Sequence, residues 1–243
     1  MKYKIGTQEL DITNDETKEA KGTPGQIVGW RDVAITCKTL HAVSALIDIE
    51  KPTIVDGIAR SGFWGAIFRH IWPDCKLHLN DLDKTCLPTL ERNFPNDKIT
   101  NNSIHQWAPK KCDIALLDFD HFTLKLMPKF KEVLINWSNS CKYFIIADGA
   151  CFGFKFGNMK HYGITNDEEY YYKLDEELSK FLNKRITVVS KFPNAATILL
   201  EDVKKPKKII FVEPTPDLFL ARGNEVFGGK KITAIDTKQR TLF

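Results

Sequence analysis

The stretch IVDGIARSGFWGAIFRH (residues 54–70) joins a short apolar run to a second run of helical character through a polar break. The first run ends at Asp56, and the polar break is Arg60-Ser61-Gly62. This change of pattern predicts a strand that leads directly into a helix. The turn is neither a GxGxxG fingerprint nor a P-loop, because no Lys-Ser/Thr pair follows its last glycine.

The same alternation of strand and helix patterns continues along the chain. Strands are predicted at residues 53–57, 76–81, 98–102, 113–119 and 142–148, and helices at 31–48, 62–71, 83–94, 124–138 and 167–183. Residues 185–192 and 195–201 are predicted to form a closing antiparallel hairpin, with one extra strand after them. Strands that are continuous apolar runs indicate a sheet covered on both faces. The predicted fold is therefore α/β, with a mainly parallel seven-stranded sheet and a C-terminal antiparallel hairpin.

Length and composition restrict the remaining possibilities. The 243 residues suit one large domain, predicted over 27–213, with a mobile polar arm at 1–26 and a tail at 214–243. No apolar run is long enough to span a membrane, and the polar N-terminus does not resemble a signal peptide, so a cytoplasmic protein without membrane contact is expected. Six scattered cysteines without a C-x-x-C pair predict reduced thiols and no metal site. The net charge of +4 permits a polyanionic partner without requiring one.

Ligands of open parallel sheets bind beyond the carboxyl ends of the strands, at the topological switch point. The residues predicted at those ends are Asp56, Gly57, Ala59, Ser61, Gly62, Asp81, Asn102, Ser103, Asp118, Asp120 and Phe122. An acidic residue after the second strand can accept hydrogen bonds from both hydroxyls of an adenosine ribose. Asp56 would repel a pyrophosphate, but it suits the ammonium and sulfonium groups of S-adenosylmethionine. The predicted cofactor is therefore S-adenosyl-L-methionine.

Four stretches resemble motifs of one enzyme family. They are Trp30-Arg31-Asp32, DGIARSGFWGAIFRH (56–70), NDLDKTCLPTLERN (80–93) and DFDHFT (118–123). Together they are similar to motifs of the tRNA guanine-26 N2-dimethyltransferases, which are class I S-adenosylmethionine-dependent methyltransferases with a Rossmann-like fold. The resemblance covers roughly residues 29–155, and it departs at His121 and Thr123, where the family has proline and glycine.

The resemblance implies roles for individual residues. It places the cofactor against Arg31, Asp56, Gly57, Asp81, Asn102 and Ser103. Asp120 would accept a hydrogen bond from an exocyclic amine, and Phe122 would stack on the target base. Asp118, two residues before Asp120, is a further candidate for facing the substrate.

The stretch CFGFKFGNMKHYG (151–163) interleaves aromatic residues, glycines and cations. Phe152, Phe154, Lys155 and Lys160 are its predicted substrate-binding residues, since aromatic faces and cations suit bases splayed out of a stack. The predicted function is methylation of a nucleobase nitrogen, with RNA as the expected partner. The alternatives left open are a small-molecule methyltransferase, an RNA ribose 2′-O-methyltransferase and a non-catalytic protein that binds S-adenosylmethionine.

Overall fold

The computed structural model describes residues 2–5, 8–11, 39–118, 124, 127–148, 159–160, 162–192, 195–203 and 208–212. Its strands are β1 (Lys2–Ile5), β2 (Gln8–Asp11), β3 (Thr53–Asp56), β4 (Lys76–Asn80), β5 (Lys98–Thr100), β6 (Cys112–Asp118), β7 (Cys141–Asp148), β8 (Arg185–Phe192), β9 (Ala195–Glu201) and β10 (Ile210–Val212). Its helices are α1 (Phe63–Ile71), α2 (Leu87–Asn93), α3 (Met127–Asn139) and α4 (Asp167–Ser179), and residues 39–44 are also helical.

The main sheet has eight described strands in the order β10-β8-β9-β7-β6-β3-β4-β5. Only β9 runs antiparallel to its neighbours, and every other pairing is parallel. The predicted mainly parallel sheet with a closing hairpin is therefore confirmed. The eighth strand is β10, which pairs with β8 and corresponds to the extra strand predicted after the hairpin.

The chain direction across the sheet changes between β3 and β6. Strands β3, β4 and β5 step toward one edge, and β6 then returns to the other side of β3. The gap above their carboxyl ends is the topological switch point at which ligands of such sheets bind. Asp56 and Asp118 are the last residues of these two strands.

Apolar side chains fill both faces of the sheet. Helices α1 and α2 and residues 39–44 cover one face, and α3 and α4 cover the other. In α1 every residue from Phe63 to Phe68 is buried, which explains the dense apolar composition of this helix. Trp137 of α3 is fully buried on the opposite face and donates its indole N–H to the carbonyls of Ile104 and Trp107.

Differences from the sequence prediction include the start of α2 and the β1–β2 hairpin. The helix predicted over residues 83–94 begins at Leu87, because Asp83 accepts hydrogen bonds from the Thr85 N–H and hydroxyl in a preceding turn. Pro88 therefore lies in the first helical turn, where a missing N–H costs nothing. The β1–β2 hairpin was missed, since each strand has only four residues and β2 is polar apart from Leu10, which is buried beneath α1 and α2.

No helix in the described part of the chain is long and apolar enough to cross a membrane. The described cysteines, Cys75, Cys86, Cys112 and Cys141, are not paired in disulfides. The predicted domain boundaries at residues 26 and 213 stay predictions.

Asp175→Ala is expected to destabilise the fold by about 3 kcal/mol, because Asp175 is 6% exposed and links α4 to β8. Its carboxylate accepts from Arg185 and, at 2.7 Å, from the Ile186 N–H. Lys173→Ala, which removes an exposed ion pair from the same helix, is the control and should cost less than about 1 kcal/mol. Urea denaturation measures both, and equal losses would contradict this role of Asp175.

Candidate active site at the carboxyl edge of the sheet

Asn80 joins the ends of three neighbouring strands. Its side chain is 0% exposed. Its amide nitrogen donates to the carbonyls of Gly57 at 3.0 Å and Asn102 at 2.9 Å. Its amide oxygen accepts from the Thr100 hydroxyl and the Asn102 N–H, both at 2.9 Å. All four contacts go to residues at or just after β3 and β5, so Asn80 fixes the backbone of the predicted cofactor segments.

The loop after β3 crosses over the end of β4 and is held there by backbone contacts. The Ala59 N–H donates to the Asn80 carbonyl at 2.9 Å, and the Arg60 N–H donates to Asp81 Oδ2 at 2.7 Å. Arg60 has a φ of 48°, in the left-handed region that a non-glycine residue adopts at some cost. The Asp81 carboxylate therefore stabilises an unfavourable backbone conformation next to the predicted ribose site.

Gly62 ends this loop with a φ of 93°, and α1 begins at the next residue. A Cβ atom at Gly62 would lie 2.1 Å from the Phe94 ring, so only glycine fits. Ser61 is buried beside it, and its carbonyl accepts from the Asn93 amide at 2.9 Å. Helix α1 thus starts close to the strand ends and directs its first backbone N–H groups toward the rim.

Gly57 is required by packing on the sheet face away from this loop. A Cβ atom there would meet Leu117 Cδ2 at 2.4 Å and the Trp137 ring at 2.6 Å. The described contacts therefore explain the glycine without a ligand, and its predicted place beside the cofactor stays a prediction.

Asp81 has one backbone donor on each carboxylate oxygen. Oδ2 accepts from the Arg60 N–H, and Oδ1 accepts from the Asp83 N–H at 2.8 Å. The residue is 5% exposed. Each oxygen has two lone-pair sites, so both can accept a further hydrogen bond from a ligand hydroxyl.

Asn101 and Leu82 are two rim residues that the sequence patterns did not single out. The Asn101 amide nitrogen donates to the carbonyls of Asp81 at 2.6 Å and Leu82 at 2.8 Å. Leu82 is 65% exposed, directly after the buried Asp81. The feature that distinguishes Leu82 is its exposure beside a carboxylate, and a sequence does not show which apolar residues are exposed.

Asn102 and Ser103, which were predicted to bind the cofactor, take part in the turn after β5. Asn102 uses its backbone N–H and carbonyl to bind Asn80. Ser103 accepts from the His105 N–H with its hydroxyl at 3.3 Å, and from the Gln106 and Trp107 N–H groups with its carbonyl at 3.0 Å. The described hydrogen bonds of Ser103 are therefore those of a turn. Both residues are half-buried and lie at the same edge of the sheet as Asp81.

Asp118 is linked to α1 across the switch point. The Trp64 indole N–H in the first turn of α1 donates to Asp118 Oδ2 at 3.1 Å. This contact connects the helix that follows the predicted cofactor loop with the strand that leads into DFDHFT. Trp64 therefore reinforces the spacing between β3 and β6 at their carboxyl ends.

Asp56 is the most deeply buried carboxylate of the site, with 0% exposure. Oδ1 accepts from the Ile58 N–H at 3.1 Å, while the buried Oδ2 has no hydrogen-bond partner among the described residues. Burial raises the pKa of Asp56 well above its usual value, the Ile58 hydrogen bond opposes this, and the charges of Asp118 and Asp81 add to the increase. The site therefore favours a positively charged group beside Asp56.

The remaining predicted site residues lie mostly outside the described part of the chain. These are Arg31, Asp120, Phe122, Phe152, Phe154 and Lys155. Lys160 is described and exposed, and its carbonyl accepts from the Gly163 N–H at 3.3 Å. In the described ranges, no group of three His, Cys, Asp or Glu side chains converges in a way that could hold a metal ion.

No family model matches the sequence, and no curated protein matches it significantly. The pyocyanin biosynthetic protein PhzM is a similar solved structure, with a TM-score of 0.51 at 13% identity over 78% of this chain and 68% of PhzM. The Escherichia coli protein yhhF, for which a methyltransferase activity is proposed, gives a TM-score of 0.51 at 13% identity over 84% of this chain and 100% of yhhF. This chain has a Rossmann-like methyltransferase fold.

CalO1, a methyltransferase in calicheamicin biosynthesis solved with S-adenosylhomocysteine bound, shares this methyltransferase fold. Its TM-score is 0.50 at 13% identity, over 71% of this chain and 55% of CalO1, so the match spans about half of CalO1. Identities this low establish the fold alone. Within the methyltransferase fold of this chain, Asp56, Asp81 and Asp118 lie at the edge where parallel sheets bind ligands.

Asp56→Asn is expected to stabilise the folded protein at neutral pH. The raised pKa means that the folded state holds the Asp56 proton more tightly than the unfolded chain does. The contribution of Asp56 to stability is therefore fully present below its unfolded pKa and is lost as pH rises through its folded pKa. Asparagine can still accept from the Ile58 N–H but does not ionise.

Urea denaturation of both proteins across the range from about pH 4 to about pH 8 measures this difference, which should grow with pH. Asp74→Asn, at an exposed aspartate on the opposite edge of the sheet, is the control and should show little change with pH. A variant that is less stable than the native protein at neutral pH would show that the ionised Asp56 carboxylate does not destabilise the fold.

Proposed function

We propose that this protein is an S-adenosylmethionine-dependent methyltransferase that acts on a nucleobase nitrogen in RNA. The observation that carries the proposal is the buried Asp56, whose Oδ2 has no hydrogen-bond partner among the described residues. An ammonium group at this position would donate to that oxygen and offset the cost of burying its charge. The methionine part of S-adenosylmethionine carries such a group and is followed by a sulfonium.

The end of β4 suits the adenosine half of the same molecule. The Asp81 oxygens can each accept a ribose hydroxyl in addition to their backbone donors. Leu82 offers an exposed apolar side chain next to Asp81, which would cover one face of the adenine. Asn102 and Ser103, after the adjacent β5, would lie on the other side of the base.

A cofactor with a pyrophosphate suits this edge less well. The phosphates of a dinucleotide would have to approach the start of α1 past the carboxylates of Asp56 and Asp118, whose charges already oppose each other. Repulsion at short range in a partly buried site exceeds the attraction that one helix N-terminus supplies. A cationic cofactor reverses the sign of this interaction, which favours S-adenosylmethionine.

The nucleobase assignment rests on the residues after β6. Asp118 is held by Trp64 at the switch point, and residues 119–123 complete the DFDHFT motif. A carboxylate two residues beyond Asp118 could accept a hydrogen bond from an exocyclic amine, and the aromatic ring after it could stack on the base. The cations and aromatic residues of 151–163 support RNA as the carrier of that base.

Methyl transfer to nitrogen requires the protein mainly to position the cofactor and the target amine. S-adenosylmethionine, when bound, supplies a methyl group already activated by its sulfonium, and the reaction is an in-line displacement by nitrogen. Asp56 and Asp81 would fix the two ends of the cofactor, so that the methyl group faces a defined direction. Asp120 would hold the amine and keep its lone pair aimed at the methyl group, while Phe122 offsets part of the cost of unstacking the base.

Asp81→Ala is expected to weaken S-adenosylmethionine binding about a hundredfold, because two charge-assisted hydrogen bonds to the ribose are lost. Asp83→Ala is the matched control, since Asp83 carries the same charge in the same loop, but its carboxylate accepts only from Thr85 among the described residues. Calorimetry with each purified protein provides the affinities. Native-like binding by Asp81→Ala, or equal loss in both variants, would show that the ribose contact is misplaced.

Asp120→Asn is expected to lower single-turnover methylation of RNA at least tenfold while leaving cofactor affinity nearly unchanged, because it keeps the shape but removes the negative acceptor. The assay incubates native and variant proteins with labelled S-adenosylmethionine and separate pools of tRNA, other RNA, DNA and metabolites. Lys155→Ala and Lys160→Ala should instead weaken RNA binding and reduce its salt dependence, whereas Lys129→Ala on α3 should not. Methylation at the native rate by Asp120→Asn would refute its role, and transfer only to a metabolite would refute the RNA assignment.

A further inference from the structure

We propose that Asn80 and Asn101 are positioning residues that hold the Asp81–Leu82 segment and the neighbouring loop in the geometry that binds adenosine. This inference rests on the proposed function, since it concerns the same cofactor. Neither asparagine was among the residues predicted to touch the cofactor, and in the described contacts each acts on the backbone of the segments that were. Their role is thus to set the shape of the site.

Asn101 acts on the adenosine side. Its amide nitrogen donates to two consecutive carbonyls, those of Asp81 and Leu82, at 2.6 and 2.8 Å. Two hydrogen bonds from one nitrogen fix the orientation of both peptide planes, and hence the directions of the Asp81 carboxylate and the Leu82 side chain. Asn101 is only half-buried, so its contacts contribute more to the geometry of this segment than to the core.

Asn80 connects the adenosine side with the methionine side. Its four hydrogen bonds reach Gly57 after β3, Thr100 in β5 and Asn102 after β5. Because its donors and acceptors are all used, the side chain has one orientation and cannot be exchanged for an isosteric aspartate without opposing two carbonyl oxygens. A shift of Asn80 would move the loop at 57–62 and the turn at 101–103 together.

This arrangement makes the binding edge preorganised. A ligand that finds Asp81 and Leu82 already oriented does not bear the cost of ordering them, which raises affinity without any new contact. Loss of the Asn101 donors should therefore weaken every ligand that contains adenosine by the same factor. A residue that touched only the amino-acid half would discriminate between adenosine and the whole cofactor.

The experiment measures the dissociation constants of S-adenosylhomocysteine and of adenosine by calorimetry for two Asn101 variants and one control variant. Asn101→Ala should weaken both ligands equally, by about tenfold, for the loss of two donors. Asn101→Asp keeps the size but directs negative oxygens at the two carbonyls, so it should bind both ligands more weakly than Asn101→Ala. Asn166→Ala removes the N-cap of α4 and should lower the melting temperature without changing either affinity.

Asn80→Ser provides a second test, on the side of the site that Asn101 does not reach. It frees the Gly57 carbonyl as well as Asn102, so it should weaken S-adenosylhomocysteine more than adenosine. If this buried variant fails to fold, the Asn101 series alone decides the question.

The outcomes separate this inference from the function on which it rests. A native protein that binds neither ligand would overturn the proposed function. Native binding that persists unchanged in Asn101→Ala and Asn101→Asp would overturn the positioning role and leave the function standing. A loss confined to S-adenosylhomocysteine, with adenosine unaffected, would also overturn the assignment of Asn101 to the adenosine half.

Discussion

The arrangement of the carboxyl edge depends on the four hydrogen bonds of the fully buried Asn80. Parallel strands align their ends only as well as the loops that follow them allow, and three loops meet at this point. Asn80, the last residue of β4, gives the loops after β3 and β5 a fixed partner, so that Asp56, Asp81 and the turn after β5 lie at one edge of the sheet. A buried polar network of this kind specifies one arrangement when all of its members are satisfied. The sheet places the strand ends side by side, and the Asn80 side chain fixes the conformation of the loops that follow β3 and β5.

Two features of the same edge, at Asp56 and Arg60, are unfavourable for the stability of the folded protein. Asp56 is buried, its Oδ2 has no hydrogen-bond partner among the described residues, and two other carboxylates lie nearby. Burial and, to a smaller extent, the charges of Asp118 and Asp81 raise the pKa of Asp56 and oppose its ionised form. Arg60 has a left-handed backbone conformation that Asp81 holds in place. Unfavourable features of this sort persist where the surrounding structure enforces them, and they cluster at ligand sites. A cationic ligand would relieve the first of these features, as the ammonium group of the proposed S-adenosylmethionine would.

Sequence patterns were sufficient for the main sheet because its central strands β6 and β7 contain continuous apolar runs, and because the helices between the strands have apolar residues at helical spacing. The run IIAD before residue 149 also predicted the carboxyl end of β7, and the turn after Asp56 predicted the passage from β3 into α1. The hydrogen-bond network of Asn80 and Asn101 could not be predicted from the sequence, because both side chains bind partners about twenty residues away along the chain. In the sequence Leu82 cannot be distinguished from a core leucine, and only the structure shows that it is exposed. The β1–β2 hairpin was missed for a related reason, because a single buried leucine in a polar strand produces no periodic signal.

Hydrogen exchange of backbone amides, with and without S-adenosylhomocysteine, tests most directly whether this edge is the cofactor site. We expect slower exchange in the ligand complex at residues 57–62, 81–83 and 101–103, with the amino ends of β4 and β5 unaffected. The protection should be weaker with adenosine at 57–62 than at 81–83, because adenosine lacks the amino-acid group that Asp56 would bind. Unchanged exchange at all three segments in the presence of saturating ligand, or protection confined to another surface, would contradict the assignment of the cofactor site to this edge.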